Sequence, residues 1–148
     1  MFRTIANNIW AFDLEWAPDP PTGRRVYDLP DEMPDDEVIR VMWERGGASD
    51  DEPKPYLKYT LCRVVSAAVV VRRQRDDGRV TVGLAALPHP GDPAMPEKEL
   101  LTRFLTQLGQ ENPKPQLVGF NSRSADLPIL IQRGIVHGVM AMEFSHRP

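Results

Sequence analysis

The chain has 148 residues, 41% of them hydrophobic, a formal net charge of −3 and a single cysteine, Cys62. That length carries one compact domain with its own core. The lone thiol excludes an intrachain disulfide and a zinc site built from several thiolates, and no apolar run approaches the roughly 18 residues of a membrane span. A cytoplasmic protein is expected.

The charge is unevenly laid out. Residues 1–59 carry 13 acidic and 7 basic side chains, residues 60–148 carry 8 and 11. The second half can therefore meet a polyanion, although a pI near 5.6 argues against coating nucleic acid by charge alone.

In chain order, "NIWAFDLEW" reads as the first strand. Trp10, Phe12, Leu14 and Trp16 fall on one face and Ile9, Ala11, Asp13 and Glu15 on the other. The even face is wholly apolar and should enter the core. The odd face ends in two acids that point the same way.

Residues 17–58, with 7 prolines and 11 acidic residues, read as a Pro-rich acidic insertion in a single domain spanning 1–148. Within it a short helix is expected from about 35 to 45, with acids at its start, apolar residues at helical spacing and glycines at its end. Its acids read as a solvated face.

"YTLCRVVSAAVVVRR", the turn signal "DDG" and "RVTVGLAAL" form a hairpin. "EKELLTRFLTQLG" then repeats apolar residues as a helical stripe, Leu100, Leu101, Phe104, Leu105 and Leu108, ended by Gly109. The stripe reads as core packing. A short buried-type strand, "QLVGF", the segment "NSRSADLP" and a final helix, "ILIQRGIVHG", complete the order.

This order predicts an α/β fold, a mixed sheet with helices packed on it. Ligand sites of such sheets lie at the C-terminal ends of strands. There the first strand offers Asp13 and Glu15, and the last offers Asn121 followed by Asp126. Converging carboxylates repel unless a cation compensates. All-oxygen donors suit Mg²⁺ or Mn²⁺, and a pair of such ions can drive phosphodiester cleavage.

"FDLEW" resembles the Asp-x-Glu first motif of the DEDD superfamily of 3′ to 5′ exonucleases, and "LVGFNSRSADLPILIQR" resembles its second motif. The nearest group is that of predicted exonucleases related to the exonuclease domain of family B DNA polymerases. The resemblance implies an RNase H-like fold and two-metal hydrolysis of single-stranded DNA from its 3′ end.

It further implies that Asp13 bridges two Mg²⁺ or Mn²⁺ ions, that Glu15 binds one and orients the terminal nucleotide, and that Asp126 holds the second. Leu14, Phe120 and Asn121 would line the path of the strand end, and Arg133 could contact phosphate. Other roles remain open for these residues. Asp126 could be only the N-cap of the helix holding Pro128, Asn121 could only turn its loop, and Trp10, Phe12 and Trp16 could be plain core.

The family's third motif, a Tyr or His followed by a fourth acid, has no counterpart here. His137 and His146 are the only late histidines and no Asp follows either. Position 125 is Ala, where the family commonly carries an aromatic. The expectation is therefore a truncated form, lacking the last strand and helix. The alternative is a catalytically inactive nucleic-acid-binding or interaction module, or half of a split nuclease. A third reading, a glycoside hydrolase with paired carboxylates, needs a longer barrel than this chain supplies.

Overall fold

The computed structural model describes residues 5–139; His146 lies outside them. The chain divides into two compact units, one made of the residues up to Glu15 with those from Val64 onward, the other Trp16–Arg63.

The first unit is built on a four-stranded sheet. Its strands are β1 (Asn8–Pro18), β2 (Cys62–Gln74), β3 (Val80–Leu87) and β4 (Gln116–Val118), the long first two continuing into the second unit, and their order is β3-β2-β1-β4. β1 runs parallel to β4, with Ile9 opposite Gln116 and Ala11 opposite Val118. β2 and β3 form an antiparallel hairpin from Ala67 opposite Leu87 to Gln74 opposite Val80. The sheet is thus mixed, as expected, and with its helices it is consistent with an RNase H-like core.

Alternation along β1 decides which face is packed. Trp10, Phe12 and Leu14 are buried while Ala11, Asp13 and Glu15 are exposed. Against the buried face lies α3 (Glu97–Gln110), whose Leu100, Leu101, Phe104, Leu105 and Leu108 are all buried. Phe104 meets Trp10 edge-on at 6.3 Å between ring centroids and Phe12 at 6.1 Å, an arrangement aromatic pairs favour. Gly109, expected to end this helix, lies buried inside it, and the helix runs one residue further.

The last helix, α4 (Asp126–His137), buries Ile129 and Leu130 and packs on α3. It starts three residues before the expected position, because the Leu127 amide donates to the Ser122 carbonyl and the Ile129 amide to the Ala125 carbonyl. Gly138, left-handed at φ 62°, ends it and returns its amide to the Gly134 carbonyl.

The second unit contains α2 (Asp35–Arg45), at the expected position, and α1 (Pro20–Tyr27), which has no counterpart in the sequence reading. α1 carries Pro at its first turn, and the Thr22 hydroxyl donates to Asp19 Oδ2 at 2.6 Å. Gly23 lets it lie against α2, since a Cβ there would sit 2.5 Å from Met42 Sδ.

Candidate functional site

Asp13 and Glu15 stand exposed on the bare face of β1, and the buried Leu14 between them keeps that strand in the core. Asp126 reaches the same place from the other side of the chain. It is 3% exposed, and its Oδ1 accepts a hydrogen bond from the Leu14 amide at 3.2 Å. Asp126 is not the N-cap of α4; Ala125 holds that position, and the Asp126 carboxylate is turned onto β1 instead.

Burial pushes the Asp126 carboxyl above the usual range, the Leu14 amide and its own amide pull it back, and the negative charge of Asp13 raises it again. The net direction is upward. The charge of Asp13 is therefore close enough to disfavour the ionised form of Asp126.

The turn after β4 leads to Asp126. Gly119 is required at its start, because a Cβ would meet the Ser122 side chain at 2.6 Å and the Phe12 carbonyl at 3.1 Å. Asn121 is left-handed at φ 52°, a conformation Asn tolerates better than other side chains, and its carbonyl accepts from the Ser124 amide at 2.9 Å. Phe120 is 95% exposed. It lines an open groove of about 750 Å³ on the exposed face of the sheet, together with Asp13, Ala11, Val70, Leu84 and Val118.

Arg133 lies elsewhere. Its guanidinium is buried and forks onto Glu97, with Nε to Oε1 at 2.8 Å and a second nitrogen to Oε2 at 2.6 Å. It faces the interior two turns along α4 from Asp126, not the groove. Glu97 also accepts from the Val64 amide at 2.7 Å and lies 2.7 Å from His137 Nε2. Burial works to raise the Glu97 carboxyl, but the bonds from Arg133, His137 and the Val64 amide prevail and hold it below the usual carboxylate range.

Sequence reading missed Glu97. The available signal was the Arg133 and His137 pair, four residues apart and so on one helix face, with no acid within four residues of Arg133 on α4 to answer it.

The donor set bears on the implied metal. Two all-oxygen side chains whose charges repel suit a hard divalent cation, which would relieve the repulsion. Asp13 and Asp126 fit that description. Among the described residues, no group of three or more His, Cys, Asp or Glu gathers to hold a metal, so Glu15 does not complete a three-carboxylate cluster.

A mixed sheet with helices packed on it is consistent with an RNase H-like core. Residues 54–148 match the family described as predicted 3′–5′ exonuclease related to the exonuclease domain of PolB, and the chain belongs to that family. The matched span contains Asn121 and Asp126; Asp13 and Glu15 precede it. No curated protein and no solved structure matches significantly. Among the described residues no helix is long and apolar enough to cross a membrane.

Proposed function

We propose that the protein is a metal-dependent 3′ to 5′ exonuclease acting on single-stranded DNA in the cytoplasm. Asp13 and Asp126 would hold a divalent ion, Mg²⁺ or Mn²⁺, and Glu15 would orient the terminal nucleotide. One observation carries this reading: the bond from the Leu14 amide to Asp126 brings a buried carboxylate against Asp13 midway along β1. Family membership supplies the reaction class.

When bound, the metal supplies an activated water and charge stabilisation at the phosphate. The chain's own residues position the strand. Leu14 anchors the two carboxylate-bearing segments to each other through its amide. Phe120, projecting from the Gly119–Asn121 turn, offers a ring on which the terminal base can stack, and the apolar wall of Ala11, Val70 and Val118 accepts the next. Asn121 holds that turn by its left-handed backbone.

A second reading, a module that binds nucleic acid without cleaving it, is favoured by the lack, among the described residues, of a group of three or more metal-ligating side chains, where two-metal cleavage calls for one. A 5′-labelled single-stranded oligonucleotide with Mn²⁺ separates the two. Stepwise shortening from the 3′ end, lost in Asp13→Ala, is expected. Binding with no shortening would select the second reading, and near-normal shortening by Asp13→Ala would remove Asp13 from the site.

A further inference from the structure

The cluster around Glu97 is buried, polar and remote from the groove, and nothing in the reading above uses it. Glu97 opens α3 and joins three elements: the Val64 amide of β2, and Arg133 and His137 of α4, at 2.6 to 2.8 Å. Both members of the ion pair are nearly inaccessible, with side-chain exposures of 5% and 6%. A buried pair of this kind is a poor device for stability, because losing two hydration shells offsets most of the attraction. What a forked pair adds is direction.

α4 needs direction. Ile129 and Leu130 hold it on α3 by apolar contact, which is non-directional and tolerates sliding or rotation of a helix. Asp126, Ile129, Leu130 and Arg133 lie along one buried stripe of that helix, continued by the half-buried His137, with Asp126 at one end and the Glu97 partners at the other.

We infer that Glu97 and Arg133 are positioning residues for the carboxylate site: their fork fixes the rotation and register of α4, and so sets Asp126 Oδ1 on the Leu14 amide beside Asp13. The inference rests on the metal-site reading only in its metal-binding arm. The amide-exchange arm is independent of it.

The test uses the full chain with two variants, Arg133→Lys and the double variant Glu97→Gln/Arg133→Met. Arg133→Lys keeps the charge and loses the fork. The double variant removes both charges, and such paired replacements usually keep the fold because no lone buried charge remains. Three quantities are read: the urea midpoint, the exchange rate of the Leu14 amide hydrogen, and the Mn²⁺ dissociation constant by calorimetry. Asp126→Ala sets the exchange rate of an unbonded Leu14 amide.

In the double variant the urea midpoint is expected near that of wild type. Its Leu14 amide nevertheless exchanges about tenfold faster, because the local bond is lost without global unfolding. Mn²⁺ binding weakens by roughly 3- to 30-fold in both variants, the range typical of coupling through packed networks. Leu14 protection that tracks the urea midpoint alone, in either variant, would overturn the positioning role and leave Glu97 and Arg133 as plain structural residues. Wild-type protein that binds no Mn²⁺ would instead overturn the metal-site reading, and the Leu14 exchange rate would still decide the inference.

Discussion

Asp126 is the residue at which fold and chemistry conflict. A carboxylate 3% exposed and set beside Asp13 is destabilised in its ionised form, and its pKa is raised. For an acid, a folded-state pKa above the unfolded one means that ionisation costs stability, so the penalty grows as pH rises through the folded value. Asp126→Asn keeps an oxygen for the Leu14 amide and removes the charge. Urea unfolding should show this variant at least as stable as wild type at pH 7, with the difference shrinking as the pH falls into the carboxylate range.

Such gains on deleting a charge mark functional groups. Glu97 has the opposite sign. Its lowered pKa contributes stability that is present above the unfolded carboxylate value and lost as pH falls through the folded one. Glu97→Gln alone removes the carboxylate on which Arg133 forks and should cost about 3–5 kcal/mol in the same assay. Asp13 and Glu15 were legible as a pair from strand periodicity alone. The Glu97 partners were not, because Arg133 lies 36 positions away and pairing at that separation leaves no local pattern.

Elements with a strong period were the legible ones. The alternation in β1 and the stripe of α3 each bury one face against the other, so sequence and packing ask for the same residues. α1 escaped because "PPTGRRVY" holds a glycine and two prolines, and its helix is held by contact with α2 through Gly23, which no local propensity reports. The start of α4 escaped for a related reason: bonds back to Ser122 and Ala125 wind the chain at Asp126 before its apolar period begins. The turn that leads there depends on Gly119. Gly119→Ala puts a methyl against the Phe12 carbonyl and the Ser122 side chain, neither of which can yield without moving backbone or turn, and should lower stability by about 1–3 kcal/mol in urea titration.

Within the first unit α3 packs on the buried face of β1, and among the described residues the opposite, groove face is left apolar. Leu84 is 78% exposed, and Val82, Val70 and Val118 stand exposed on the same strands. Apolar area of this kind on a sheet with β3 at its edge promotes self-association. Leu84→Lys should raise the concentration at which light scattering appears, with the fold unchanged by circular dichroism. The mixed sheet was readable from element order, since a hairpin followed by helix, strand and helix leaves few other arrangements. The bareness of its groove face was not, because Val82 and Leu84 read like ordinary strand residues.

The central claim is that Asp13 and Asp126 form one cation-binding pair, and calorimetric titration with Mn²⁺ on wild type, Asp13→Ala and Asp126→Asn tests it directly. Saturable binding by wild type that weakens at least about tenfold in each variant, while all three stay folded, is the result this account predicts. Equal Mn²⁺ affinity in wild type and both variants would contradict it.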